Sequence, residues 1–240
     1  MVIIVIVIDS TAMKYHTASP FVLAAACIFL CASSGWATLV TWSLNPSAAN
    51  ADIGPSQDFT VSGYTITALG YDNNSGTGAA HNLHFKSEGA INGGGEVGLG
   101  LTNTPNFELQ VDSNGNPLQF IQLDIRSILS QGFTNGKIEI ASVQSGELFN
   151  LYGSNTLGNL GTKLNNSAYD STKDDTFVSV PNFGSFQFIS VVAAAGDVLP
   201  VAFQASVVPV PEAASLIPAA CLIIAVTLFE ARRRRRSNQM

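Results

Sequence analysis

Cysteine is nearly absent from this 240-residue chain, and its few copies lie near the ends, at Cys27, Cys31 and Cys221. Residues 38–210 contain no cysteine at all. That central part therefore cannot form a disulfide framework, bind zinc through thiolates or use a thiol nucleophile. The lack of cysteine does not argue against export, because an oxidising compartment permits disulfides without requiring them.

Basic residues are scarce in the same central part. They are Lys86, Arg126, Lys137, Lys163 and Lys173, against nine Asp and five Glu. An acidic surface repels the phosphate backbone of nucleic acids, so we expect no nucleic-acid partner. An acidic composition that is also rich in Asn and Gly suits a soluble extracellular domain.

Motifs for catalysis and for cofactor binding are also missing. The chain has no Gly-x-Ser-x-Gly pattern, and Gly98-Leu99-Gly100 is followed by neither a third glycine nor a helix at the spacing that phosphate binding needs. The histidines outside the N-terminal segment are His81 and His84. On one strand they would point to opposite faces and could not share a metal ion. We therefore expect neither an enzyme nor a tightly bound cofactor.

The central part does contain many short runs rich in Val, Ile, Thr, Phe and Tyr, several of them with alternating apolar and polar residues. Turn residues separate these runs at intervals of roughly 8–12 residues, which is typical of sandwiches and jelly rolls. The runs are 38–44, 59–61, 64–69, 82–86, 97–101, 107–111, 118–125, 137–143, 148–152, 176–180, 186–193 and 198–207. The sequence therefore predicts an all-β domain over residues 38–209, of the β-sandwich or jelly-roll type.

Two other stretches have their own local signals. Residues 126–131 predict one helical turn that ends at Gly132, because glycine is the usual residue just after a helix. Residues 155–164 carry Gly158 and Gly161 among apolar residues, and we expect a loop that crosses the sheet.

One turn partly matches a calcium-binding loop. Oxygen-bearing side chains occupy its first, third and fifth positions, in Asp112-Ser113-Asn114-Gly115-Asn116. The sixth and twelfth positions, Pro117 and Leu123, lack the Gly and Glu of such loops, so we expect a plain hairpin turn. A second acidic group consists of Asp170, Asp174 and Asp175. It could form either a weak Ca²⁺ site or a solvated loop that charge keeps soluble.

Two further sets of side chains suggest glycan binding or glycan hydrolysis. The aromatic rings that could stack on sugars are Trp42, Tyr64, Tyr71, Tyr152 and Tyr169. Aromatic rings in strands more often pack in the core. A hydrolase would need two carboxyl groups that converge in a cleft, such as Glu108 or Glu139 with Asp124. Carboxylates on the outer face of a strand also serve solubility alone.

The N-terminal segment, residues 1–37, predicts a secretory signal. We expect translation to begin at Met13, so that Lys14 supplies the positive start and residues 21–32 the apolar core. The candidate cleavage bonds, in order of preference, follow Ala37 and Ala51. A retained N-terminal anchor is the alternative.

The most distinctive stretch is residues 210–236, which has three parts in a fixed order. It opens with Val210, Pro211, Glu212 and Ala213. The apolar run 213–229 carries no charge, and as a helix it would extend roughly 25 Å at ~1.5 Å per residue, a short span for a ~30 Å hydrocarbon core. The stretch ends with Arg232, Arg233, Arg234, Arg235 and Arg236. These arginines should stay in the cytoplasm and keep everything before Pro211 outside it, whereas the alternative is a buried helix with a basic tail.

This three-part tail resembles the PEP-CTERM sorting signal of bacterial surface and exopolysaccharide-associated proteins. Val210, Pro211 and Glu212 match its motif, and Ala213 stands where that family usually has a second proline. The resemblance implies processing by an exosortase, a membrane enzyme similar to cysteine proteases. It also fits the predicted domain, because β-sandwich domains are often found in such proteins.

We therefore expect a non-catalytic protein that is exported, held briefly in the membrane by its C-terminal segment and then moved to the cell surface or beyond. Its expected partners are an exosortase-type enzyme and the membrane. A lectin-like module that binds exopolysaccharide of the matrix is the alternative function, and an extracellular glycan hydrolase is a further one.

Overall fold

The computed structural model describes residues 37–47, 49–73, 78–87, 96–102 and 104–207. They belong to one compact unit, Ala37–Val208. No helix in these ranges is long and apolar enough to cross a membrane. The predicted signal segment before Ala37 and the whole of the predicted sorting signal at 210–236 lie outside the described residues.

The predicted all-β class is confirmed, since strands dominate the described residues and one short α-helix accompanies them. In chain order the elements are β1 Thr38–Ser43, β2 Ala51–Gly54, β3 Ser56–Val61, β4 Tyr64–Asp72, β5 Ala79–His81, β6 Leu83–Lys86, β7 Gly98–Leu101, β8 Leu109–Gln110, β9 Gln119–Asp124, α1 Arg126–Ser130, β10 Phe133–Ala141, β11 Leu148–Ser154, β12 Thr162–Lys163, β13 Thr176–Ser179, β14 Phe188–Ala195 and β15 Asp197–Val207. Most of the predicted runs therefore form strands close to their expected bounds.

Within the described ranges the strands pair antiparallel into three sheets. The five-stranded sheet has the order β1-β15-β10-β13, with β8 also beside β15. The seven-stranded sheet has the order β12-β11-β14-β9-β4-β3, and β5 follows β3 along the same edge of β4. The small sheet has the order β2-β6-β7.

One hydrophobic core joins all three sheets. Alternate residues of β15, namely Phe203, Ala205 and Val207, enter it from the five-stranded sheet. The seven-stranded sheet contributes buried residues of β4, β9, β11 and β14, and the small sheet contributes leucines of β6 and β7. Because the two larger sheets share this core between them, the arrangement is sandwich-like.

Trp42 of β1 connects the two larger sheets directly. Its side chain is fully buried, and its indole Nε1 donates a hydrogen bond to the carbonyl oxygen of Tyr64, 3.0 Å away in β4. Its ring lies 5.7 Å from that of Phe133 and 6.0 Å from that of Phe203, measured between centroids. The indole ring is thus buried while its one hydrogen-bond donor, the Nε1–H group, keeps an acceptor.

The loop predicted over residues 155–164 is confirmed for residues 155–161, which cross the outer face of the seven-stranded sheet, whereas Thr162–Lys163 form β12. Gln122 is fully buried on that outer face, and its amide donates to the carbonyl of Asn159 at 3.0 Å and to Ser190 Oγ at 3.2 Å. The backbone N–H of Gly158 donates to the Gln122 carbonyl oxygen at 2.9 Å. Leu160, which belongs to this loop, packs against Tyr71 and other residues of the same face. β9 is therefore buried on both faces.

The prediction of a strand over residues 107–111 is wrong in its first half. A 3-10 turn occupies Pro105–Phe107, and β8 is limited to Leu109–Gln110. Asn106 and Phe107 both adopt a left-handed backbone, with φ of 57° and 60°, which ends an extended conformation. The predicted helical turn before Gly132 is confirmed: α1 ends at Ser130, and Gly132 takes φ of 80°.

We predict that Trp42→Ala lowers the free energy of unfolding by about 3–5 kcal/mol, because it removes a fully buried ring and its hydrogen bond between the sheets. Leu39→Ala is the matched control, since Leu39 lies in the same strand with 57 % of its surface exposed and should change stability by about 0.5 kcal/mol or less. Urea unfolding followed by circular dichroism measures both. Equal effects of the two substitutions would contradict the bridging role of Trp42.

Candidate functional site

Lys86 is the most unusual buried residue of the domain. Its side chain has no exposed surface, and lysine is almost never fully buried unless it is paired. Its amine donates directly to Glu108 Oε1 and lies 3.3 Å from Glu96 Oε2. Glu108 is itself only 2 % exposed. A cation and a carboxyl group therefore meet without water around them.

The pairing of β6 with β7 explains how Lys86 becomes buried. Lys86 lies opposite Gly98, and His84 lies opposite Gly100, whereas the residues between them in both strands face the core. Residues directly opposite each other in an antiparallel pair share a face, so Lys86 and His84 stand beside positions that have no side chain. The bare face of β7 leaves room for another part of the chain.

The space beside the two glycines is filled by backbone. A Cβ atom on Gly98 would lie 2.7 Å from the carbonyl oxygen of Pro200, and a Cβ atom on Gly100 would overlap the carbonyl oxygen of Phe107. Glycine in a strand often marks such a close approach. This approach brings the segment before β8, and with it Glu108, against Lys86.

Two strained backbone positions flank Glu108. Phe107 has φ of 60°, and its ring stacks on His84 with 3.7 Å between centroids. Ser142 has φ of 61°, and its hydroxyl donates to Glu108 Oε2 at 3.2 Å. Such left-handed positions cost of order 1–3 kcal/mol each and persist only where the surroundings enforce them. The domain thus maintains two costly conformations around one carboxyl group.

A series of carboxyl groups leads from Glu108 toward the surface. Burial raises the pKa of Glu108 to about 7, with Asp197 adding to the rise and the hydrogen bond from Lys86 opposing it. Burial also raises the pKa of Glu147 to about 7, and a hydrogen bond with Asp197 adds to that rise. Asp197 therefore interacts with both glutamates. The resulting site, which we call the Lys86 centre, consists of Lys86, Glu96, Glu108, Ser142, Glu147 and Asp197.

The carboxyl groups expected for a hydrolase do not come together. Asp124 forms an ion pair with Arg126, with 2.6 Å between Oδ2 and Nη2. Glu139 has Asp175 as its charged neighbour, and burial followed by Asp175 raises its pKa. Glu108 belongs instead to the Lys86 centre. The described residues therefore do not place Glu108 or Glu139 against Asp124.

The two histidines are held separately, but not for the reason expected. They lie on β5 and β6, which belong to different sheets, rather than on opposite faces of one strand. His81 Nδ1 lies 2.7 Å from Asp72 Oδ1, and its Nε2 contacts the carbonyl oxygen of Thr102. His84 Nδ1 lies 2.6 Å from Asp52 Oδ1. Each ring has its own carboxylate.

The segment that partly matches a calcium loop is a hairpin turn, as expected. Val111 and Pro117 form a β-bridge across it. Asp112 Oδ1 accepts the backbone N–H groups of Asn114 and Asn116, both at 2.8 Å. These hydrogen bonds, that from Asn116 first, hold the pKa of Asp112 below its usual value. The carboxylate is therefore occupied by its own turn.

In the second acidic group, Asp170 and Asp174 also accept hydrogen bonds from nearby protein groups. Asp170 accepts from the backbone N–H and hydroxyl of Thr172 at 3.0 and 2.7 Å, and Asp174 Oδ1 accepts from the backbone N–H of Val143 at 3.0 Å. In the described part of the chain, no group of three or more His, Cys, Asp and Glu residues is placed to hold a metal ion.

The aromatic residues considered for sugar stacking pack inward. Trp42 and Tyr71 are buried. Tyr64, Tyr152 and Tyr169 are half-buried, and the ring of Tyr169 lies 4.9 Å from that of Phe149. The side chains of Trp42 and Tyr71 are therefore not exposed for stacking on a sugar ring.

Sequence reasoning included Glu108 among the candidate carboxyl groups but missed Lys86. The available signal was a strand with alternating glycine and leucine, Gly98–Leu101, beside a strand that ends in lysine. Comparisons with family models, with curated proteins and with solved structures find no match to this chain.

We predict that Gly100→Ala destabilises the domain by about 1–3 kcal/mol, because the added methyl group meets the backbone carbonyl of Phe107 and forces the two segments apart. Gly184→Ala is the control, since Gly184 has open space around it and no positive φ. Denaturant unfolding compares the two variants. A decrease in the free energy of unfolding no larger than that of Gly184→Ala would show that the close backbone approach at β7 does not affect stability.

We predict that Glu147 makes stability depend on pH. Its pKa in the folded state, about 7, lies above the usual value of 4.5, so folding favours the protonated form. This contribution is fully present below about pH 4.5 and is lost as the pH rises to about 7. Glu147→Gln stays neutral, and its free energy of unfolding should fall less than that of the native chain over this interval. Parallel curves in chemical unfolding would contradict the assignment.

Proposed function

We propose that this protein is an exported, non-catalytic surface or matrix protein that is sorted through its C-terminal segment. The observation that carries the proposal is the order of motif, short apolar run and arginine cluster over residues 210–236. Pro211 and Glu212 are recognised by an exosortase-type enzyme near the outer face of the membrane. The apolar run holds the chain in the bilayer, and Arg232 to Arg236 keep its end in the cytoplasm. Cleavage near the motif then releases or transfers the domain.

The positions of the domain's two ends support this processing. Thr38, the first residue of β1, pairs with Val207, the last residue of β15. Removal of the segments on both sides would leave every described strand in place. Cleavage after Ala51, in contrast, would remove β1 and with it the buried Trp42. We therefore propose signal cleavage after Ala37.

We propose a β-sandwich of jelly-roll type as the finer description of the exported domain. The support is the core that the two larger sheets share, together with strand neighbours that are far apart in sequence, such as β1 with β15 and β9 with β14. Burial of Trp42 and Tyr71 removes two of the five rings considered for a lectin-like role. The carboxyl groups considered for a hydrolase have separate partners.

We predict that the extracellular form of the protein lacks Arg232 to Arg236 in a bacterium that encodes an exosortase. The double variant Pro211→Ala with Glu212→Ala should keep these arginines and stay in the membrane fraction, because the processing enzyme no longer recognises its motif. Intact-mass analysis of both fractions measures this. Glu230→Gln is the control, because it alters a carboxylate near the arginines but outside the motif. A complete C-terminus in the extracellular native protein would refute the proposal.

A further inference from the structure

We propose that Lys86 and Glu108 condense into an amide, so that the Nζ atom of Lys86 becomes covalently bonded to the Cδ atom of Glu108. The product is an isopeptide cross-link between the end of β6 and the segment before β8. It goes beyond the proposed function, because it concerns the chemistry of the folded domain rather than its sorting.

The geometry of the buried pair is the first support. The amine of Lys86 contacts Glu108 Oε1 directly, so Nζ also lies next to the Cδ atom that it would attack. Neither side chain is accessible to water, with exposures of 0 % and 2 %. Well-oriented reactants held within one molecule reach effective concentrations of roughly 10⁵–10⁸ M, far beyond those of free groups. Exclusion of water also disfavours the reverse hydrolysis.

The groups around the pair are suited to each proton transfer. Glu96 Oε2 lies 3.3 Å from Nζ and can accept a proton from the amine. Ser142 Oγ donates to Glu108 Oε2 at 3.2 Å and can stabilise negative charge there. Burial, with the neighbouring charge of Asp197, raises the pKa of Glu108 to about 7, so its neutral and electrophilic form is well populated near neutral pH.

The reaction balances without any further reagent. The Lys86 ammonium first gives one proton to Glu108 Oε1, which leaves a neutral amine beside a neutral carboxyl group. Nζ then attacks Cδ, and the negative charge develops on Oε2. The second proton leaves Nζ for the Glu96 carboxylate and passes to the Oε1 hydroxyl, which departs as the bond between Cδ and Oε1 breaks. One ammonium and one carboxylate thus become one amide and one water.

Condensation also removes an unfavourable feature of the fold. Two ionised groups buried together lose hydration that their mutual attraction only partly replaces. The neutral amide has no such cost and can keep the hydrogen bond from Ser142. The cross-link closes a loop between residues 22 positions apart, in a domain that has no cysteine for a disulfide. A covalent closure of this kind restricts the unfolded chain as a disulfide does.

The test is a peptide mass measurement on the native chain. The purified full chain is shown to be folded by circular dichroism, then denatured and digested with trypsin, which does not cut after an acylated lysine. We expect a single fragment that ends at Arg126, contains both residues and is lighter than its sequence by one water. Tandem mass spectrometry should place the linkage between Lys86 and Glu108. Cleavage after Lys86, giving two fragments of unchanged mass, would overturn the proposal.

Two variants make the result specific. Lys86→Met combined with Glu108→Leu removes the buried cation together with its buried carboxyl partner and should restore the sequence mass of the fragment. Lys163→Arg is the matched control, since Lys163 is an exposed lysine on β12, and it should keep the full loss of one water. Persistence of the water loss in the double variant would place the modification elsewhere and overturn the assignment.

Discussion

A lysine amine without water needs a partner that balances its charge or bonds with it, and this requirement links the small sheet to the five-stranded sheet. Lys86 at the end of β6 meets Glu108, which precedes β8, and β8 pairs with β15 of the five-stranded sheet. The match depends on Gly98 and Gly100, whose missing side chains let the backbone of Phe107 and Pro200 approach β7. Charge pairing and close backbone packing are therefore two parts of one contact.

Most strands could be predicted from the sequence because their signals are local. Alternation between apolar and polar residues, as in β10, and the turn at Gly132 need no knowledge of distant segments. The 107–111 run failed because Asn106 and Phe107 adopt a left-handed backbone against β7, which depends on partners elsewhere in the fold. Lys86 was missed for a related reason, since its burial arises from glycines on the neighbouring strand.

The segments proposed for targeting precede and follow, in the sequence, the unit whose described core residues run from Val40 to Val207. The proposed cleavage near Pro211 would therefore cut the chain after the last residue of this unit, Val208. Among the few basic residues of the domain, Arg126 pairs with Asp124 at the surface, and Lys86 is buried.

The pairing of Thr38 with Val207 has a mechanical consequence. Tension applied through both ends of the domain would pull β1 and β15 apart from the same end of their ladder. The hydrogen bonds would then break one after another rather than all together, and the first ones to open lie far along the chain from Lys86. Under such a load β1, the outer strand of its sheet, peels away early.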